Sequence, residues 1–300
     1  YFLRYVDPHN DKEFASMDKL RYWNPVDWYN GGMEHVTRHM IYSRFWHRFL
    51  YDIGCVPNEE PYAKRTAQGL ILGPDGDKMS KTKGNVVDPL DVFDKYGADV
   101  LRTYILFMGD YGQATPWSDN SVKGCKRFLD RVWGLNDIVK GGDGYSKALE
   151  TPFHQTIKKV SADYDSMKFN TAIAALMTLI NKIYDEGSLT KKELASFITL
   201  LNPVAPHITE EMWEMNGFDG MLCEQKWVEY DEAKTVEATI EIPVSVCGKL
   251  RGVVSVPADA DKDAVIAAAK EDEKVQSFIA GKTIVKEIFV PGRMVNIVVK

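Results

Sequence analysis

The first hundred residues mix short apolar runs with one stretch of helical spacing. Apolar runs at residues 1–6, 26–29 and 69–72 predict three short strands. Between residues 34 and 50 the apolar positions recur at helical spacing, directly after a Gly31-Gly32 turn. A helix that follows a glycine turn at the end of a strand is typical of a strand–helix unit. This alternation predicts part of a parallel α/β sheet.

The pattern becomes helical from Ser118 onward. Apolar residues line one face of the first helix in this region, and the glycine-rich residues 141–144 then predict a connector. Four more helices are predicted over residues 151–164, 169–186, 190–201 and 206–215. Together these helices predict a bundle.

From about residue 236, apolar and polar positions alternate with a period of two. Strands are predicted over residues 240–246 and 250–256 with a turn at Gly248-Lys249, then a helix over 259–280, then a hairpin of strands 283–290 and 294–299. The predicted architecture is therefore multidomain, with an α/β domain over residues 1–112, an all-α domain over 113–235 and a small α+β domain over 236–300.

Composition and charge narrow the class of protein. The chain is 45% apolar and 27% charged, which is ordinary for a globular protein. It has no apolar run of about 18 residues and no export signal, so we expect no membrane partner. Four scattered cysteines without a Cys-x-x-Cys pair argue against a disulfide framework and a zinc site, and they favour the cytoplasm. Because the first residue is Tyr1, we expect a piece of a longer chain.

The charge is unevenly distributed. The net charge of −6 falls within residues 134–236, which carry 10 basic and 16 acidic side chains, whereas the segments on either side are each neutral. A polyanionic partner is therefore expected to contact the two ends of the chain, or one helix face, rather than this middle segment.

Candidate chemistry concentrates in a lysine-rich loop. Lys78, Lys81 and Lys83 follow a predicted strand and a Pro-Asp-Gly turn. Clustered ammonium groups on a loop suit a triphosphate, whose charge must be neutralised as it shifts during a reaction. A bare lysine cluster is, however, more often a solvated basic loop.

The order of the residues favours the first interpretation. Lys-Met-Ser-Lys-Thr-Lys-Gly-Asn at 78–85 and Tyr-Gly-Ala-Asp-Val-Leu-Arg at 96–102 resemble the class I aminoacyl-tRNA synthetases, whose signature loop is Lys-Met-Ser-Lys-Ser. Further segments narrow the resemblance to the leucyl-tRNA synthetases: residues 1–5, Gly-Gly-Met-Glu-His at 31–35, Pro-Val-Ala-Pro-His-Ile at 203–208, Gly-Lys-Leu-Arg-Gly at 248–252, Val-Pro-Ala-Asp at 256–259, and residues 290–298.

The resemblance implies a fold, ligands and site residues. It implies that residues 1–112 form half of a Rossmann-like catalytic domain, in which ATP with Mg²⁺ activates leucine for transfer to tRNA(Leu). Lys78 and Lys81 would be the catalytic residues and would stabilise the departing pyrophosphate. The implied ATP- and adenylate-binding residues are Gly31, Gly32, Glu34, His39, Gln68, Gly69, Leu70 and Lys81. Without the resemblance, His39 is an ordinary helix histidine, and Glu34 is a first-turn acid that complements the helix dipole.

Two sets of basic residues are candidates for contact with tRNA. Lys123, Arg127 and Arg131 lie at i, i+4 and i+8 and therefore share one helix face. The last predicted domain contributes Lys249, Arg251 and Arg293. Such residues suit phosphate contacts, although a basic stripe is also typical of a solvated helix face.

Two elements of the synthetase pattern are absent from the sequence. There is no His-x-Gly-His motif, and the short turn before Lys78 leaves no room for an inserted domain. We therefore expect the C-terminal part of a ligase that is inactive without its N-terminal half. Two alternatives remain: a non-catalytic tRNA-binding module, and part of an isoleucyl- or valyl-type ligase.

Overall fold

The computed structural model describes residues 2–236, 239–257 and 260–300, and its first part contains short parallel strands. Strand β1 (Tyr29–Gly32) pairs in parallel with β2 (Arg65–Gln68), and β3 (Ile71–Leu72) pairs in parallel with β4 (Thr115–Pro116). Gly69 and Leu70 separate β2 from β3, and the two pairs form separate two-stranded sheets. Both pairings are parallel, as predicted, but among the described residues they do not join into one sheet.

The prediction for the N-terminal segment is wrong. Residues Phe2–Val6 form helix α1 rather than a strand, and Tyr1 lies outside the described residues. A five-residue apolar run cannot distinguish the two states by itself. The helix packs Leu3 into a small core with Leu20 of α2 (Met17–Trp23) and Leu50, and this tertiary contact decides the outcome.

The segment from residue 26 to residue 52 also differs from its prediction. Val26 forms only an isolated bridge with Tyr62, and the strand begins at Tyr29, so the two glycines belong to β1 rather than to a turn. The predicted helix divides at Arg38 into a 3-10 helix, Met33–Thr37, and α3, His39–Asp52. The strand predicted at 69–72 is likewise interrupted, because Gly69 and Leu70 separate β2 from β3.

The helices from residue 118 onward match their prediction closely, whereas two helices before them, over residues 89–96 and 98–107, were not predicted. The helical part of the chain comprises α4 (Pro89–Tyr96), α5 (Ala98–Phe107), α6 (Asp119–Trp133), α7 (Glu150–Asp165), α8 (Phe169–Glu186), α9 (Lys191–Leu201) and α10 (Pro206–Met215). Single 3-10 turns lie at Gly134–Ile138, Leu222–Glu224 and Glu232–Thr235, and β5 (Val139–Lys140) pairs with β6 (Leu189–Thr190). One core runs from Val92 to Leu222, so α4 and α5 pack with the bundle.

Helix α5 is joined to the connection between α9 and α10. The buried Asp99 carboxylate accepts hydrogen bonds from the His207 ring at 2.8 Å and from the Ile208 backbone N–H at 2.7 Å. One turn later, Arg102 donates to the backbone carbonyls of Pro203 and Val204 at 3.0 and 3.1 Å. Asp99 therefore caps α10, and Asp99 and Arg102 together hold α5 against the connection between α9 and α10.

The last part of the chain is an α+β unit. It contains β7 (Thr239–Val246), β8 (Lys249–Pro257), α11 (Lys262–Glu271), α12 (Glu273–Ile279), β9 (Ile284–Val290) and β10 (Met294–Val299), with strand order β8-β7-β10-β9. The predicted single helix over 259–280 is wrong, because Asp272 ends α11 and caps α12. The predicted turn shifts by one residue to Cys247-Gly248, where both φ angles are positive. Residues 237–238 and 258–259 lie outside the described residues.

Within the described residues, no helix combines the length and apolar character needed to cross a bilayer.

Candidate functional site

The end of β1 brings two of the predicted binding residues together. Gly32 is buried, and the exposed Glu34 folds its carboxylate back over it. A Cβ on Gly32 would lie 2.6 Å from Glu34 Oε1, so only glycine leaves this space to the carboxylate. Because the Glu34 carboxylate is exposed at the end of β1, it is able to accept hydrogen bonds from the hydroxyls of a ligand.

His39 lies at the start of α3 against an aromatic pair. Its ring stacks on Tyr29 at 5.4 Å, its Nδ1 lies 2.8 Å from the Tyr29 hydroxyl, and Tyr42 meets it edge-on at 5.0 Å. Burial, followed by the nearby His35 charge, lowers the pKa of His39 below its usual 6.5. The lowered pKa favours the neutral ring at pH 7.

The lysine loop is a closed turn between β3 and α4. Leu72 forms an antiparallel bridge with Lys78, and Gly73 N–H donates to Asp77 O at 2.8 Å. Lys83 donates to the Asp77 carboxylate at 2.7 Å and is thereby neutralised. Lys78 and Lys81 are exposed, and the described contacts give neither of them an ion-pair partner. The three lysines thus separate into one paired residue and two available cations.

Asn85 crosses the loop and joins its two sides. Its Oδ1 accepts from Ser80 N–H at 2.8 Å, and its Nδ2 donates to both Asp75 carboxylate oxygens at 3.1 and 3.0 Å. Nδ2 also lies 3.4 Å from Lys78 O. Sequence reasoning included Asn85 only as the last residue of the signature motif and Asp75 only as part of a turn, and it assigned neither of them a role.

Both groups follow the carboxyl end of a parallel strand. Gly31, Gly32 and Glu34 lie at or just after the end of β1, and the lysine loop leaves the end of β3. The two strands belong to separate two-stranded pairs, β1 with β2 and β3 with β4. Open α/β sheets bind ligands at the carboxyl ends of their strands.

Gln68, the register partner of Gly32, lies with Gly69 and Leu70 in the wall of a cavity of about 480 Å³. The cavity is closed by the end of α5 and by Phe169, and it contains none of the other predicted site residues. Gly69 N–H donates to Tyr111 O, and Leu70 O accepts from Thr115 N–H, so these two backbone groups are occupied by the sheet. The structure therefore does not bring Gln68–Leu70 into one pocket with the lysines.

The three cations of α6 are exposed but not equivalent. Arg131 donates to Asn181 Oδ1 at 2.7 Å and lies 4.8 Å from the Tyr184 ring, so it packs against α8. Lys123 and Arg127 have no described ion-pair partner. The stripe predicted from sequence thus offers two free positive charges.

The three predicted cations of the α+β unit do not form one cluster. Lys249 follows the β7–β8 turn, near Ile297, whereas Arg293 precedes β10 at its opposite end. At about 3.3 Å per residue, roughly 13 Å of strand separates the two ends. Arg251 stacks on Phe278 at 4.0 Å, and its Nε is buried without a hydrogen-bond partner.

Across residues 2–236, 239–257 and 260–300, no group of three or more His, Cys, Asp or Glu side chains is arranged to hold a metal ion.

Two family descriptions match the chain in the regions just described. Residues 14–118 match the tRNA synthetases class I (I, L, M and V), and residues 146–266 match the anticodon-binding domain of tRNA ligase. The chain therefore belongs to the class I tRNA synthetases. Its relatives within this class include the leucine--tRNA ligase of Alkaliphilus oremlandii (strain OhILAs), with 53% identity over all 300 residues. The chain spans 37% of the length of that relative.

Solved structures agree with this assignment. The whole chain is similar to the agnB2 LeuRS of Agrobacterium radiobacter K84, which was crystallised as a LeuRS-tRNA-LeuAMS ternary complex. The match covers 40% of that structure, with a TM-score of 0.74 and 31% identity. Methionyl-tRNA synthetase of Mycobacterium tuberculosis, in complex with methionyl-adenylate, matches 71% of the chain and 47% of its own length, with a TM-score of 0.53 and 18% identity. The second likeness shows the fold alone. The resemblance to leucyl-tRNA synthetases is confirmed.

Proposed function

We propose that this chain supplies the phosphate-neutralising loop and the tRNA-binding part of a leucine--tRNA ligase. The observation that carries the proposal is the division of the lysine loop. Lys78 and Lys81 are left as available cations after the carboxyl end of β3, while Lys83 is paired with Asp77.

The chemistry that fits is adenylate formation. The leucine carboxylate attacks the α-phosphorus of ATP, used as its Mg²⁺ complex, and the bond to pyrophosphate breaks. Negative charge then accumulates on the departing pyrophosphate, where Lys78 and Lys81 stabilise it. Glu34 accepts hydrogen bonds from the ribose hydroxyls, and neutral His39 contacts the adenylate beside it. The leucyl group then passes to the terminal adenosine of tRNA(Leu), and AMP is released.

The basic face of α6 and the α+β unit are the proposed tRNA contacts. Lys123 and Arg127 are exposed and unpaired among the described residues, so they are able to neutralise phosphates. The crystallised LeuRS relative, which matches the whole chain, was captured with tRNA, and this supports the proposal. Lys249 and Arg293 lie too far apart for one phosphate and would contact separate parts of the backbone.

A further proposed partner is the remaining part of the catalytic domain. Three aromatic residues of α3 are largely exposed, namely Tyr42 at 60%, Phe45 at 76% and Trp46 at 54%. The free edge of β1 also has no strand partner among the described residues. An uncovered aromatic face beside an open strand edge is typical of a sheet that continues in another segment. The matched relative is about 2.7 times as long as the chain and has room for such a segment.

The proposed function is tested in the full-length ligase that carries this sequence. We expect Lys81→Ala to lower the rate of leucine-dependent ATP–pyrophosphate exchange by about 10²-fold or more, the scale of losing one preorganised charge donor. Lys83→Ala is the matched control, because Lys83 is already paired, and we expect a change below about threefold. An exchange rate that Lys81→Ala leaves unchanged contradicts the proposal.

A further inference from the structure

The lysine loop contains a polar pair that touches neither lysine side chain. We infer that Asp75 and Asn85, here called the Asp75–Asn85 clasp, position Lys78 and Lys81 for the nucleotide chemistry of the proposed function, on which this inference rests. Neither member is a catalytic residue, because the clasp acts on the backbone from which the lysines project.

The hydrogen bonds of the clasp reach the backbone beside both lysines. Asn85 Nδ2 binds the Asp75 carboxylate and faces Lys78 O, and Asn85 Oδ1 accepts from Ser80 N–H, one residue before Lys81. Asp75 Oδ1 also accepts from Asp77 N–H at 3.1 Å. One amide group therefore fixes the chain on each side of Met79, and Met79 itself packs against the core of the bundle.

The backbone around the clasp is shaped to admit it. A Cβ on Gly73 would lie 2.6 Å from Asp75 Oδ1 and 2.8 Å from Asn85 Nδ2, so the space of a side chain at position 73 is filled by the clasp. Gly84 adopts a positive φ of 68°, which lets the chain turn back toward Asp75. Gly73 thus leaves the space that the clasp fills, and Gly84 allows the turn that brings Asn85 to Asp75.

The charge state of the pair is stable near neutral pH. The Asn85 amide, with help from Asp77 N–H, holds the pKa of Asp75 below its usual 3.8. Asp75 therefore remains ionised, and a charge-assisted hydrogen bond closes the loop. Without the pair, two lysines of like charge would be free to separate before any phosphate is bound.

The principal test is Asn85→Ala in the full-length ligase. Because interactions that act in the transition state change kcat, and misplacement by about 1 Å costs up to 10²-fold, we expect the kcat of ATP–pyrophosphate exchange to fall by about 10- to 10²-fold. The KM for ATP should change by less than about threefold. Asp75→Ala should act in the same direction, and it keeps the test available should Asn85→Ala fail to fold.

Three further measurements separate positioning from a merely structural role. In this chain, hydrogen exchange at Ser80 N–H should accelerate by at least tenfold in Asn85→Ala and remain unchanged in the control Lys83→Ala. The exchanged pair, Asp75→Asn with Asn85→Asp, restores one carboxylate and one amide and should recover at least part of kcat. In a Lys81→Ala background, Asn85→Ala should have a smaller effect than in the wild type, because Lys78 alone is then left to be positioned.

The inference is overturned by a wild-type kcat in both Asn85→Ala and Asp75→Ala, or by a loss that is undiminished when Lys81 is already alanine. Its failure is distinguishable from that of the proposed function. If Lys81→Ala abolishes exchange while Asn85→Ala and Asp75→Ala do not affect it, only the inference fails. If Lys81→Ala has no effect, the proposed function itself fails.

Discussion

At Gly69 two backbone segments approach more closely than any side chain allows. A Cβ there would collide with the carbonyl group of Gln113 and would lie 2.9 Å from Ala114 N. Because the obstacle is backbone held by the hydrogen bond from Gly69 N–H to Tyr111 O, it cannot rotate away. Gly69 is therefore a structural requirement for joining β2–β3 to β4, whatever its role toward a ligand.

We expect Gly69→Ala to lower the free energy of unfolding by about 1–3 kcal/mol, the usual cost of overpacking. Urea denaturation measures this change, and Gly144→Ala is the matched control because nothing lies within 4 Å of a Cβ there. Equal midpoints for Gly69→Ala and wild type would contradict the close approach.

Asp7 is an acid whose hydrogen bonds make the stability of the fold depend on pH. Hydrogen bonds from Lys19 at 2.5 Å, Asn10 at 2.8 Å and Ser16 N–H at 3.0 Å lower the pKa of Asp7 from 3.8 to about 2. Because the pKa is lower in the folded state, the ionised carboxylate stabilises the fold above about pH 4. This contribution is lost as the pH falls from 3.8 through about 2.

We expect Asp7→Asn and the wild type to differ in stability by an amount that depends on pH. Asp7→Asn should be less stable in urea at pH 7, and the difference should shrink between pH 4 and pH 2, because the wild-type carboxylate is then protonated. An NMR titration of the Asp7 carboxyl group with a midpoint at 4 or above would disprove the assignment.

At the scale of elements, Asp99 and Arg102 of α5 connect two segments that are about one hundred residues apart in sequence. Asp99 accepts from the first turn of α10, where the backbone N–H groups have no partner within the helix. Arg102 donates to carbonyls of the preceding connection. Both segments carry the resemblance to the synthetases, and these hydrogen bonds hold them together in the fold.

Removal of this cap should destabilise the bundle. We expect Asp99→Ala to lower the free energy of unfolding by about 1–3 kcal/mol, because it leaves donors near the helix start unsatisfied. Glu214→Ala is the control, since Glu214 lies exposed on α10, the helix that Asp99 caps. Urea midpoints should fall for Asp99→Ala alone, and an equal fall in both variants would exclude a specific capping role.

The elements differ in how well the sequence predicts them, and the reason is length. The bundle helices extend over three or more turns, so the spacing of their apolar residues identifies them to within one or two residues. The five residues of α1 give no such period, and their state depends on the contact between Leu3 and Leu20. The division of the predicted 259–280 helix depends on a single capping residue, Asp272, within an otherwise helical pattern.

The candidate site shows the same contrast. Lys78 and Lys81 could be singled out as candidates from sequence because their order is a family signature, and the structure places the Glu34 carboxylate beside Gly32 at the end of β1. The neutralisation of Lys83 and the bridge formed by Asn85 could not be predicted, because both depend on how the loop closes in three dimensions. The separation of Lys249 from Arg293 likewise follows only from the parallel pairing of β7 with β10.

At the scale of the whole molecule, the aromatic face of α3, formed by Tyr42, Phe45 and Trp46, is a largely exposed apolar surface. Arg44 and Arg48 on the same helix are paired with Glu60 and Glu59, so charge does not shield the neighbouring rings. Large exposed apolar patches mark interaction sites or cause aggregation. A chain with this face uncovered should therefore associate with itself until the proposed remaining part of the catalytic domain covers α3.

We expect sedimentation velocity to show concentration-dependent association of this chain and weaker association of Phe45→Asp/Trp46→Asp. The same double variant should bind a separately produced N-terminal part of the ligase at least tenfold more weakly, because a buried charge opposes the contact. Leu90→Asp is the control, since Leu90 is 64% exposed but lies on α4. A wild-type chain that stays monomeric and binds the N-terminal part no better than the double variant would show that α3 does not form the contact.

The strand order β8-β7-β10-β9 has a consequence for biosynthesis. Translation produces β7 and β8 first, yet the strand that adjoins β7 on its other side is β10, the last of the four to emerge from the ribosome. Until then, the buried residues Val244 and Val246 have only one neighbouring strand. At about 5–20 residues per second, the interval from residue 246 to residue 299 lasts several seconds. During those seconds the β7–β8 hairpin exposes an unpaired strand edge. Chaperones are able to bind this edge, or it pairs wrongly with another nascent chain on the same messenger RNA.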